Sequence, residues 1–238
     1  CHAPTVDDIA KMISFIPNEY IDGLNLIVLR QPKKKEETLC SVWGRMQYLF
    51  DIESYSGPAI IIEAIDYSKK LIRNKKLSVD DLKDLKRLKE DGYVFQETKR
   101  EYIAEYDIES VRATQLYRTL LHEIGHYIQY VECVKKPLDK LDKEIAELDK
   151  IIDWDSDEEC HHYNRWDKLS DESNELYDKV WKNYENIPAV EKEKFAFGFS
   201  DSFRTKLEKE KLIPFNRIFN SKSIQSDHLR EEDFVLVE

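Results

Sequence analysis

The residues best placed to do chemistry are His122, Glu123 and His126, inside the string Leu120-Leu121-His122-Glu123-Ile124-Gly125-His126-Tyr127-Ile128-Gln129-Tyr130. A spacing of four on a helix returns a side chain to the same face, so the two imidazoles can be offered to one ion. Glu123 follows the first histidine and points slightly aside, where it can take a proton from an ion-bound water without occupying the ion itself. Zinc suits this HExxH spacing, and it lowers the pKa of its water toward about 7, which makes a hydroxide-like nucleophile available at neutral pH. A random chain of this length would contain the string in roughly 1% of cases, so its surroundings matter. Ile108, Val111, Leu116, Leu120, Ile124 and Ile128 recur near helical spacing, which favours a metal site over two surface histidines beside an unrelated glutamate.

A catalytic zinc takes three protein ligands and keeps one position open. The extended string HExxHxxGxxH is not completed, because Gln129 and Glu132 stand where its glycine and last histidine belong. The third ligand is therefore sought on a second helix, within residues 190–203. Glu193 is followed by Ala196 one turn later and by Phe199 beyond it, and a small residue beside the ligand lets two helices approach closely enough to share an ion. Glu191 lies roughly 200 degrees away around the helix, so the two glutamates cannot both face the ion. Glu191 stays open as an alternative if the helical frame is shifted, as do His161 and His162, which also read as a solvated pair in a polar stretch. Nothing around His2 or His228, near the two ends, suggests ligation.

HEIGH followed by Glu191-x-Glu193-x-Phe195-Ala196-x-x-Phe199 resembles the catalytic domain of anthrax lethal factor and related secreted zincins, the Pro-Pro endopeptidases among them. These are glutamate-ligand zincins, or gluzincins, and in them the second glutamate of the string binds zinc, which implies Glu193. The Glu-x-x-Ala spacing is also similar to cytoplasmic metallopeptidases that clear phage or stress-response repressors. The resemblance extends over about residues 100–207. Two departures stand out: the stretch between His126 and Glu193 is longer than in either relative, and Phe197 occupies the place where thermolysin-like enzymes carry an aspartate. Lethal-factor-like enzymes also have a tyrosine shortly before the glutamate that donates to the oxyanion. The resemblance implies that role for Tyr184, with plain packing as its alternative.

These residues need elements to position them. Thr5 to Ile16 is predicted as an amphipathic helix opened by a Thr5/Asp8 capping box. Apolar, β-prone runs follow at Leu24 to Leu29, Leu39 to Trp43, and Ala59 to Ile65 after a Ser56-Gly57-Pro58 turn. A charged helix, Ser78 to Glu90, reads as a surface insertion capped by Ser78, and Tyr102 to Tyr106 reads as a last short strand. The pattern then turns helical: about 109–133 around the motif, a helix opened by Pro137, another over Trp166 to Tyr184, and one from Pro188 to about Leu207. Strands first and helices afterwards predict an α+β class with segregated elements, and the resemblance implies that it is zincin-like, with a small twisted sheet on the HExxH helix and a mainly helical second half. The organisation expected is residues 1–133 as an N-terminal lobe with sheet and active-site helix, 134–187 as a helical insertion, and 188–238 as the ligand-bearing helix and tail.

With 238 residues, 41% of them hydrophobic, the chain can bury a core of its own. Its net charge of −11 repels phosphate backbones, so nucleic-acid binding is not its expected task. No apolar run is long enough to span a bilayer. The four cysteines, Cys1, Cys40, Cys133 and Cys160, form no CxxC pair, so neither a zinc ribbon nor a dense disulfide framework is expected, although one bridge such as Cys133 with Cys160 is compatible with the spacing. A start at Cys1 without methionine or signal peptide reads as a processed protein or excised domain. The resemblance favours a secreted or cell-surface setting over a cytoplasmic one, and the abundance of Lys, Ile, Tyr and Asn suggests a bacterial origin. The expected activity is zinc-dependent hydrolysis of peptide bonds in a protein or peptide substrate, with His122, His126 and Glu193 on the metal and Glu123 as general base. The rival is a zincin-shaped binding or regulatory module without activity. Oligomeric state is not readable from the sequence.

Overall fold

The computed structural model describes residues 1–31, 43–152, 161–226 and 229–234. Most of the strand expected at Leu39 to Trp43 lies outside these residues, as do Cys40, Cys160 and His228. The chain forms two compact units, Cys1–Gly125 with Ala196–Glu238, and His126–Phe195.

The first unit opens with α1 (Val6–Ser14), capped as expected by Thr5 and Asp8, and the short α2 (Asn18–Ile21). Two three-stranded sheets follow. In one, β1 (Leu26–Arg30), β2 (Gly44–Ile52) and β3 (Tyr55–Glu63) lie in the order β1-β3-β2, with β1 parallel and β2 antiparallel to β3. Central β3 buries Ala59, Ile60, Ile61 and Ile62, the continuous apolar run of a strand covered on both faces. The turn expected at Ser56-Gly57-Pro58 is absent: β3 runs through these residues, and the hairpin turns at Glu53-Ser54, with Glu53 at φ 50°. Pro58 is tolerated in the strand because it lies opposite the irregularity between Gln47 and Phe50 and before the pairing with β1 begins at Ala59, so no ladder bond needs its missing N–H.

The second sheet has the order β4-β6-β5, from β4 (Lys70–Asn74), β5 (Gln96–Glu97) and β6 (Glu101–Glu105). Between β4 and β5 lies α3 (Val79–Glu90), with the Ser78/Asp81 capping box. It is more than a surface insertion, because Leu85 and Leu88 are buried and Leu88 joins Leu71, Tyr93, Ala104 and Val111 in a core cluster.

From Ile108 the backbone is helical without a break to Asp149: α4 (Ile108–Thr114), a π-helical stretch Gln115–Leu120, α5 (Leu121–Tyr130), a second π-helical stretch Val131–Lys135, and α6 (Lys136–Asp149). Thus Pro137 starts no separate helix; it sits at the change from π to α, where its lost N–H disturbs the regular ladder least. In the first unit, Leu116, Leu120, Leu121 and Ile124 are all but inaccessible, and each such burial stabilises by about 1.5–3 kcal/mol. Gln115 donates to the Glu63 carbonyl at 2.7 Å, fixing the helical run against the end of β3. The Asp8 carboxylate accepts a fork of two 2.9 Å bonds from buried Arg112, joining α1 to α4.

The second unit is helical. It contains α6, α7 (His161–Glu185) and the opening turns of α8 (Ala189–Lys209), with Tyr130, Trp181 and Tyr184 in mutual ring contact. The first unit ends with the rest of α8, α9 (Ser221–Ser226) and a 3-10 turn at Glu231–Asp233. Strands first, then the HExxH helix, then a mainly helical second half: the α+β architecture is the expected one, with two small sheets in place of one.

Candidate metal centre

α5 carries the motif as an unbroken helix, so His122 and His126 stand one turn apart on the same face. Its apolar side, Leu121, Ile124 and Tyr127, is wholly buried, which fixes the rotation of the helix about its axis and therefore the direction of both imidazoles. α8 carries Glu193 two residues after Glu191. The candidate ligand atoms of His122, His126 and Glu193 all lie within 4.8 Å of one another. His126 Nε2 and Glu193 Oε1 are 3.4 Å apart. Two ligands about 2.1 Å from a zinc ion and spread at the tetrahedral angle would stand roughly 3.4 Å apart, so this pair has the spacing of one coordination edge. The donor set of two imidazoles and one carboxylate fits zinc and leaves a fourth position for water or substrate.

The other proposed ligands do not join this group. His161 and His162 are exposed on the first turn of α7, with ring centroids 6.1 Å apart, and Glu191 is exposed on α8. His2 is buried against Phe234, and that burial pushes its pKa down to about 4. Cys133 is a free thiol that burial pushes upward in pKa. Glu123 is 7% exposed, one residue beyond His122. Tyr184 is 2% exposed, in ring contact with Tyr130 and Trp181 and with the Lys192 ammonium 4.3 Å from its ring centre.

Two features that position the ligands went unrecognised in the sequence. The first is Gly125, whose place in the motif as one of its two variable residues hides its use. A Cβ there would lie 2.8 Å from Ala196 Cα and 3.1 Å from the Ala196 carbonyl oxygen, so α5 and α8 meet backbone to backbone at this pair. The small residue sought beside Glu193 is real, and it has a smaller partner. The second is Asp91, just after α3. Its inaccessible carboxylate accepts from Thr114 at 2.8 Å, from Arg118 at 2.8 Å and from Arg204 at 2.7 Å. Arg118 lies one turn before His122 and Arg204 two turns after Ala196, so a single buried anion is tied to both ligand-bearing helices. Phe197 packs against the His122 ring, centroids 4.3 Å apart and planes tilted by 50°, and lies beneath the Arg87 guanidinium at 4.2 Å. The aromatic thus occupies the place four residues after Glu193.

Within the first unit a pocket of about 310 Å³ opens beside His122 and Glu123, with Trp43, Gly44, Leu88 and Phe197 among its lining residues. Gly44 starts β2, an outer strand of its sheet among the described residues. Comparison of the chain with protein-family models, curated proteins and solved structures finds no match.

Proposed function

We propose that the protein is a zinc-dependent peptidase of the glutamate-ligand zincin type. The observation that carries this is the convergence of His122, His126 and Glu193 with Glu123 at the adjoining helical position. When bound, zinc would supply the Lewis acidity that polarises water and the scissile carbonyl. Glu123 takes the proton from the attacking water and delivers it to the leaving amine. Tyr184 donates its hydroxyl hydrogen to the carbonyl oxygen as negative charge develops there. A peptide pairs as an added strand along the outer edge of β2, which brings its backbone past Trp43 and Gly44 toward His122 and Glu123.

The rival is a metal-binding module without catalysis. Glu123 weighs against it, because metal binding has no need of that residue. The two are separated by incubating the zinc-loaded protein with a mixed peptide library. Chelator-sensitive cleavage at close to one zinc per chain is expected. A protein that takes up no metal when zinc is supplied would overturn the site, and one that binds zinc but cleaves nothing would leave the binding module.

A further inference from the structure

The pocket beside His122 and Glu123 carries charges of both signs. Its body is apolar, formed by Trp43, Leu88 and Phe197, and three arginines reach its lining: Arg73, Arg87 and Arg118. Two of them are neutralised in place. Arg87 pairs with Asp201 at 2.9 Å and Asp84 at 3.4 Å, and Arg118 pairs with Asp91 and Glu90, each at 2.8 Å. Arg73, projecting from β4 and only partly exposed, has no ion-pair partner among the described residues. Asp81 feels its field, but that carboxylate is taken up by the Ser78 hydroxyl at 2.7 Å and the Ser78 N–H at 3.0 Å. A guanidinium that is half withdrawn from water and not matched by an anion is a recognition group waiting for one, since its planar fork fits a carboxylate in two parallel bonds.

Resting on the peptidase reading above, we infer that this pocket selects the substrate: it takes a glutamate side chain next to the scissile bond, the methylenes lying against Trp43, Leu88 and Phe197 and the carboxylate meeting Arg73. A volume of about 310 Å³ holds such a side chain with room for water. The overall negative charge of the chain does not prevent this, because at physiological ionic strength fields fade over about 8 Å whereas the Arg73 contact is direct.

Position-scanning peptide libraries on the zinc-loaded 238-residue chain should show glutamate enriched at one position flanking the cut. For a matched pair of peptides with Glu or Gln at that position, kcat/KM should favour Glu by about tenfold to a hundredfold, the worth of a charge-assisted bond. In Arg73→Met that ratio should fall to about one, and in Arg73→Lys it should be partly kept. A ratio within one protein preparation cancels any loss of folded enzyme. Cleavage without a Glu preference, or a preference that survives in Arg73→Met, overturns the pocket assignment and leaves the peptidase intact. Absence of any cleavage removes the peptidase, and binding of the same peptides, followed by tryptophan fluorescence, then decides the pocket: an Arg73-dependent preference for Glu supports it, and equal binding or none overturns it.

Discussion

The two helices that carry the candidate metal ligands are held by different means. On α5, Leu121 precedes the motif, Ile124 lies within it and Tyr127 follows it, all three inaccessible, and His126 is itself 9% exposed. On α8, the turn bearing Glu193 is open: Val190 is 73% exposed, Phe195 41%, and the Glu193 side chain is half exposed. Burial begins only at Ala196, where the helix meets Gly125. The α5 backbone that carries the imidazoles is therefore held by packing along its apolar side, and α8 is held by the close crossing of Ala196 with Gly125 and by the electrostatic tie through Arg204 to Asp91. The histidines should behave as the fixed part of the site and Glu193 as the ligand whose placing can be tuned from a distance.

The largest expected effect falls on α5. Glu123→Gln keeps the shape of the side chain and removes the base, so peptide cleavage should drop by about 100- to 10,000-fold while zinc content is unchanged. Glu193→Ala on α8 should do the opposite: zinc affinity should fall by more than the roughly 10- to 100-fold that loss of an outer-shell partner costs, with activity partly restored by excess zinc. Zinc content by elemental analysis and cleavage rates, measured for both variants side by side, check this. Equal zinc affinity in Glu193→Ala and the parent would remove Glu193 from the metal. Tyr184→Phe, retaining zinc but slowing cleavage, is the matching check on the tyrosine; an unchanged rate would leave it a packing residue.

The same contrast explains what the sequence made legible. On α5 the motif and the apolar period coincide, because residues fixed by packing must repeat every turn, and the pairing of His122 with His126 on one face could be read directly. Glu193 was legible through Ala196, since two helices sharing an ion need a small residue at their crossing. Asp91, Arg118 and Arg204 were not, because a buried ion network joins residues far apart in sequence and each member looks like ordinary surface charge. The hairpin at Glu53-Ser54 was missed for a related reason: Gly57-Pro58 carries the stronger local turn signal, and only the irregular pairing opposite Pro58 allows the strand to pass through it.

Asp91→Asn tests whether the tie matters to both helices. It leaves Arg118 and Arg204 facing each other with the anion between them gone, and breaking a buried pair in this way costs about 3–5 kcal/mol. Thermal unfolding should show that loss, and zinc affinity should fall with it because Arg118 and Arg204 stand on the ligand-bearing helices. A variant that loses stability but binds zinc as tightly as the parent would show that packing alone places Glu193. Gly125→Ala follows in size. The added methyl meets the Ala196 backbone at 2.8 Å, which cannot rotate away as a side chain could. Overpacking of this kind costs about 1–3 kcal/mol, and it outweighs the gain of about 1 kcal/mol that alanine offers in a helix. The variant should be less stable and bind zinc more weakly.

Gly198 on α8 supplies the smallest effect and the control for the previous one. It lies two residues beyond Ala196, on the open side of the same helix, and a Cβ built there meets nothing within 4 Å. With no steric term, only the helical backbone decides, and alanine loses less conformational freedom than glycine on folding. Gly198→Ala should therefore raise stability by about 0.5–1 kcal/mol, seen as a small upward shift in the unfolding midpoint, and leave zinc affinity where it was. The same substitution should thus have opposite signs at Gly125 and Gly198, since one glycine is required by a helix crossing and the other faces open space. If Gly198→Ala destabilises the protein or weakens zinc binding as Gly125→Ala does, α8 is packed on both sides and the contrast between a buried α5 and an open α8 fails.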